Sequence, residues 1–172
     1  MNDEILDVVN QQDQVIGQRP RPEIHRLGLK HRAAHVLVFN RHGQVFLQRR
    51  AQTKDTHPGL WDSSASGHLN QGEAYETAAQ RELEEELGWR PERSPEFLFK
   101  LPASAQTGQE FVCVYRVEAQ GPFRLHPQEI LQGGWFTAEE VNRWLAERPE
   151  DFAPTFPLIW ARLQAEAPSA RG

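Results

Sequence analysis

Three glutamates, Glu82, Glu85 and Glu86, stand at i, i+3 and i+4 in the stretch Arg81-Glu82-Leu83-Glu84-Glu85-Glu86-Leu87-Gly88. From Glu73 to Leu87 there is no Pro or Gly, and Ala, Leu, Glu, Gln and Arg dominate, which is helical composition. At about 100° per residue the three carboxylates fall within roughly one turn of one helix face. Like charges that close repel and cost helix stability, whereas a hard divalent cation such as Mg²⁺ reverses the sign of that cost. The plainer reading of a Glu-rich helix is a solvated acidic face. Glu84 points away from the other three and reads as surface charge. Gly88 sits where a helix ends on a left-handed residue, and Pro91 follows shortly after.

The stretch Gly67 to Trp89 carries more order than an acidic face needs, and it resembles the Nudix box, G-x5-E-x7-R-E-U-x-E-E-x-G-U with U bulky and apolar. Gly67, Glu73, Arg81, Glu82, Leu83, Glu85, Glu86, Gly88 and Trp89 fill the pattern, with tryptophan less usual than an aliphatic in the last place. The resemblance implies an α/β (α+β) fold, an α/β/α sandwich around a central mixed β-sheet. It also implies Mg²⁺, or Mn²⁺ as a substitute, on Glu85 and Glu86. Glu82 is then a further ligand or the general base, the Gly67 carbonyl completes the shell, and Arg81 orients Glu82. Glu73 is expected to be structural. A further acid often comes from outside the box; Glu110 and Glu129 are the candidates, although an isolated Glu near a strand is usually just exposed.

A second likeness covers His31 to His68, which is similar to the matching region of isopentenyl diphosphate isomerases. Their R-R-x-x-x-K contacts the substrate diphosphate and is here Arg49-Arg50-Ala51-Gln52-Thr53-Lys54, and their Pro-Gly-x-Trp is here Pro58-Gly59-Leu60-Trp61. Arg50 and Lys54 are therefore candidate diphosphate ligands, against surface solvation as the plain alternative. Where those enzymes place a catalytic cysteine before Gly-His, this chain has Ser66, and Cys113 lies elsewhere. The isomerases also bind a metal through histidines. His31 and His68 occupy comparable places, and His25 is near the third, one residue short in spacing. Ordinary polar histidines are the commoner case.

These residues need a frame. Glu4–Asn10 and Gln14–Gln18 read as a hairpin around Gln11-Gln12-Asp13, with a short helix over Glu23–Lys30. Ala33–Asn40 is apolar enough for a strand buried on both faces, and Gln44–Arg50 returns as its hairpin partner. Trp61–His68 is expected as one strand delivering Gly67 to the acidic helix. Glu96–Leu101, Glu110–Glu118 and a brief Trp135-Phe136 are further strands. Thr137 with Glu140 forms a capping box opening a helix to about Arg148, and Leu158–Ala167 is a last helix.

The 172 residues fit one domain, 1–172, with 1–30 as an N-terminal hairpin and helix extension and 168–172 as a frayed tail. A net charge of −5 without a long basic cluster argues against a duplex nucleic-acid partner. No apolar run approaches 18 residues, and the N-terminus lacks the layout of a signal peptide, so no membrane partner is expected. One cysteine excludes an internal disulfide and suits a reducing cytoplasm. The expected function is Mg²⁺-dependent hydrolysis of a phosphoanhydride in a nucleoside di- or triphosphate or a nucleoside diphosphate derivative. The alternatives are isopentenyl diphosphate isomerisation, disfavoured by Ser66, and non-catalytic nucleotide sensing.

Overall fold

The computed structural model describes residues 4–166, so the tail expected over 168–172 lies outside the described residues. The middle of the fold is the strand β3 (His31–Phe39), whose side chains alternate between two cores. Ala33, Leu37 and Phe39 enter one apolar cluster, and Ala34, Val36 and Val38 enter the other. That alternation is why the strand reads as almost continuously apolar.

The N-terminal elements are β1 (Ile5–Val9), β2 (Val15–Pro20) and α1 (Arg21–Leu27). After β3 come β4 (Val45–Arg50), β5 (Trp61–Asp62), β6 (Ala65–His68) and α2 (Tyr75–Leu87). The rest are β7 (Glu96–Leu101), β8 (Glu110–Glu118), β9 (Ile130–Phe136), α3 (Ala138–Glu147) and α4 (Thr155–Glu166). Among the described residues the central sheet runs β5-β4-β3-β8-β7, with β6 also on β3 and β9 also on β4. β3 and β8 are parallel and the other pairs antiparallel, so the sheet is mixed as expected.

Helix α2 covers one face by burying Ala78, Ala79, Leu83 and Leu87. Each leucine contributes on the order of 2 kcal/mol of hydrophobic burial. The helix stops at Gly88, whose N–H still reaches the Glu84 carbonyl and whose φ of 65° turns the chain out of the helix. Helices α3 and α4 cover the opposite face through Val141, Phe156, Ile159, Trp160 and Leu163. The capping box at Thr137 and Glu140 is formed by both reciprocal hydrogen bonds. No helix among the described residues is long and apolar enough to cross a membrane.

Two expected strands are redrawn by contacts distant in sequence. Trp61–His68 is two strands, because Ser63 and Ser64 interrupt it. The Ser64 hydroxyl accepts from the Val38 N–H at 2.8 Å and donates to the Phe46 carbonyl, bridging β3 and β4 where they part. Accordingly β4 pairs with β3 only at Val38↔Phe46 and Phe39↔Val45, and the rest of it pairs with β5 and β9. Strand β9 runs back to Ile130 through Gly133 and Gly134, residues that depress strand propensity. A Cβ on Gly133 would lie 2.3 Å from the Phe46 ring, so close packing demands the glycine.

The hairpin β1–β2 and α1 bury Leu6, Val8 and Ile24 in a small core of their own. Buried acids fasten this segment to the sheet. Asp13 accepts from Arg32 Nε at 2.6 Å and Tyr75 Oη at 2.7 Å, and it also pairs with Lys100. Asp7 accepts the Gly72 N–H at 2.9 Å, on the loop that leads into α2. Burial alone would raise the Asp13 carboxyl, but Arg32, Lys100 and Tyr75 hold it below its ordinary value.

Replacing Asp13 by Ala strands Arg32 and Lys100 beside a buried site. The expected cost is about 3 kcal/mol, the usual penalty for breaking such a pair. It reads as a lower urea midpoint at unchanged slope. The folded carboxyl binds its proton less tightly than the unfolded one. The gap between Asp13→Ala and the parent is therefore full above 3.8 and closes as pH falls through the folded value.

Candidate functional site

Strand β6 and helix α2 bring Gly67 against Glu82. A Cβ built on Gly67 would stand 1.9 Å from Glu82 Oε2 and 2.3 Å from its Cδ, so only glycine leaves room for the carboxylate. Glu82 and Glu86 are buried at 8% and 6% exposure, while the Glu85 side chain, one turn along, is 55% exposed. Glu84 is exposed, as its angular position predicts.

One guanidinium organises this end of the helix. Arg81 grips Glu73 with two hydrogen bonds of 2.8 and 2.9 Å, donates to the His68 carbonyl at 2.9 Å, and reaches Glu82 Oε2 at 2.9 Å and Glu85 Oε1 at 3.3 Å. Glu73 also accepts the Asn70 N–H, so it ties the loop to the helix. Glu86 Oε1 accepts from Gln48 Nε2 at 2.8 Å and from the Ser66 N–H at 3.1 Å.

Burial dominates the electrostatics of the two inner acids. It pushes both Glu82 and Glu86 above the carboxylate range, and the Glu86 charge adds to the effect on Glu82. Arg81 opposes the rise at Glu82, and Ser66 and Gln48 oppose it at Glu86. Two buried carboxylates under such pressure are a donor set suited to a hard divalent cation, which would relieve their mutual repulsion.

The acids line a cavity of about 590 Å³ together with Arg50, Lys54, Ser66, His68, Glu110 and Glu129. Lys54 pairs with Glu129 on its wall. Arg50 is turned partly inward to its own loop, donating to the Thr56 carbonyl at 3.0 and 2.8 Å, with Asp62 at 3.7 Å. Glu110 lies among histidines, 2.7 Å from His68 Nε2 and 3.3 Å from His31 Nε2.

His25, His31 and His68 meet there, with one ligand nitrogen from each lying within 4.8 Å of the others. The short spacing between His25 and His31 is absorbed by α1 and the turn after Gly28, which has φ 66°. His31 Nδ1 lies 3.0 Å from the Leu29 carbonyl, an acceptor only, so that nitrogen carries the proton. His31 Nε2 is buried without a well-formed hydrogen bond, with Glu110 Oε2 3.3 Å away. Burial lowers His25 to about 4, whereas His68 and His31 hold Glu110 well below its usual range despite the burial that would raise it. Three imidazoles and a carboxylate could hold a borderline cation such as Zn²⁺.

Arg21 and His126 also line this cavity without any local signal of function, and Gln48 reaches it through Glu86. Arg21 comes from the N-terminal segment and pairs with Asp55 at 3.1 Å. Gln48 alone was detectable, as a single amide ending the apolar run Val45-Phe46-Leu47.

A family model described as the NUDIX domain matches residues 29–157. A Nudix hydrolase of Streptomyces coelicolor, itself uncharacterised, is 37% identical over 164 residues, 95% of this chain and 90% of that one. An isopentenyl-diphosphate Delta-isomerase of Serratia proteamaculans is 32% identical, over 95% of this chain and 99% of that one. A crystal structure of a Deinococcus radiodurans protein superposes with a TM-score of 0.75 at 31% identity, covering 84% of this chain and 90% of that one.

The raised acids fix a pH dependence. Folded Glu82 and Glu86 hold protons more tightly than the unfolded chain does, so their contribution to stability is full below 4.5 and is lost as pH rises through their folded values. With chelator present, the thermal midpoint is expected to fall between about pH 6 and pH 9 from this source. Mg²⁺ competes with those protons, so it should raise the midpoint more at the higher pH. A Mg²⁺ shift that is the same at both ends of the range would contradict this.

Proposed function

The chain belongs to the Nudix family and is a hydrolase of phosphorus-containing anhydrides, and from that premise we propose that its substrate is a nucleoside di- or triphosphate or a nucleoside diphosphate derivative, cleaved with Mg²⁺. The observation that carries the reading is the pair of buried carboxylates, Glu82 and Glu86, packed against Gly67 at the wall of a cavity that also offers Lys54.

Glu82, Glu85 and Glu86 would hold the cation, with the Gly67 carbonyl beside them, and Mn²⁺ is a fitting substitute. When bound, such a cation neutralises phosphate oxygens and lowers the pKa of water. The chain's own residues supply the rest. Arg81 fixes Glu82 in place while its bidentate grip on Glu73 holds the guanidinium itself. Lys54 and Arg50 give positive charge for a diphosphate, and Lys54 exchanges Glu129 for the substrate as it binds. Glu129 is thereby released into the cavity as an additional acid. Glu110, committed to His31 and His68, serves the histidine cluster instead.

Isomerisation of isopentenyl diphosphate keeps one supporting observation, the cluster of His25, His31, His68 and Glu110. Ser66 stands against it, because a hydroxyl is a poor acid for protonating an alkene. Cys113 does not substitute: it is buried on β8 opposite Ala34, and burial pushes its thiol up to about 12.

A Mg²⁺-dependent turnover screen across nucleotides, nucleotide sugars, dinucleoside polyphosphates and isoprenoid diphosphates tests both. Phosphate, pyrophosphate or nucleoside monophosphate release is expected, and no dimethylallyl isomer from isopentenyl diphosphate. Glu82→Gln, Glu85→Gln and Glu86→Gln should each lower kcat by about 10²-fold or more. Parental turnover in these variants would remove the proposal, and nucleotide binding without turnover would favour a sensor.

A further inference from the structure

We propose that Gln48 is a positioning residue that aims Glu86 at the cation, an inference that rests on the reading of Glu86 as a metal ligand. Gln48 lies on β4 at 3% exposure, registered with Asp62 of β5 and Gly133 of β9. Burying an amide there is unfavourable unless its hydrogens are bonded. Both are: Nε2 donates to Glu86 Oε1 at 2.8 Å and to the Ser64 carbonyl at 3.1 Å. Both partners are acceptors, so a reversed amide would set oxygen against oxygen twice. The orientation is therefore fixed by its surroundings.

The Ser66 N–H completes the arrangement with a second hydrogen bond to the same Oε1, at 3.1 Å. Neither donor touches Oε2. One oxygen of Glu86 is thus tied to the sheet from two directions, and the other is left to bind. Ser64 and Ser66 flank Ala65, which β6 pairs with Val36, so the anchors for Gln48 and Glu86 come from the same short segment as Gly67. Glu82 has a different support, the guanidinium of Arg81, which it shares with Glu85 and Glu73. The two inner acids are accordingly held by separate devices. Only Glu86 is referenced to the sheet through a side chain on a strand.

The test measures Mn²⁺ affinity by paramagnetic resonance, with kcat and KM recorded alongside. Gln48→Met keeps the shape and removes the donor; Gln48→Asn keeps an amide but withdraws it by one methylene. Each should weaken Mn²⁺ binding by about tenfold, the scale seen when a ligand loses its outer partner. Each should also lower kcat more than it changes KM. In a Glu86→Gln background, Gln48→Met should add no more than about twofold, since the two residues act as one unit.

Parental Mn²⁺ affinity in both variants overturns the proposal, as does an undiminished tenfold loss in the Glu86→Gln background. If neither variant folds, the amide is structural and the proposal fails. If Glu86→Gln alone binds Mn²⁺ as the parent does, the assignment of Glu86 as a ligand is what has failed, and the role of Gln48 falls with it.

Discussion

Two carboxylates buried within one helical turn set the terms for everything around them. Glu82 and Glu86 are both nearly inaccessible, and burial works against the charge of each. A chain that keeps such a pair must surround it with donors, since an unpaired buried charge costs several kcal/mol. That requirement accounts for Arg81, whose fork faces three glutamates and a backbone carbonyl, and for Gln48 and the Ser66 N–H on the other acid. It also accounts for Gly67, because the nearest strand has to pass without a side chain.

The same logic extends outward through the loop between β6 and α2. Glu73 anchors Arg81 and receives the Asn70 N–H, and Asp7 on the N-terminal hairpin receives the Gly72 N–H. Asp13 on that hairpin binds Tyr75, the first residue of α2. The hairpin is therefore fastened to both the entry loop and the start of the helix that carries the acids. Residues 4–28 precede the stretch matched by the family model, yet α1 delivers His25 and Arg21 to the cavity wall. Fastening the hairpin by buried acids positions α1, and α1 completes the histidine cluster.

Which parts were legible in sequence follows from the range of the interaction behind each signal. Helix α2 with its Gly88 stop, the capping box at Thr137, and strands β3, β7 and β8 were readable because caps, period and propensity are local. The three acids were readable because helical spacing alone puts them on one face. The split at Ser63-Ser64 was not, since it arises where β3 and β4 diverge and a hydroxyl replaces a ladder bond. Strand β9 was shortened in prospect by Gly133 and Gly134, whose purpose is visible only once the Phe46 ring is beside them. His25 looked one residue out of place because spacing along the chain takes no account of a helix and a left-handed turn between two histidines.

Ser66 lies where the two chemistries of this cavity meet. Its N–H serves Glu86, and the next two residues supply the glycine that faces Glu82 and the histidine that joins His25 and His31. A bulkier or more acidic residue at that place would sit between an acid pair and a histidine cluster. With serine there, the backbone does the positional work and the side chain contributes no strong acid. The helix acids are held by Arg81, Gln48 and the Ser66 N–H, whereas beside the histidine cluster position 66 offers only a hydroxyl. That arrangement fits a chain of the Nudix hydrolase family better than an isomerase, because the acid pair is supported by donors and serine, not cysteine, stands before Gly67.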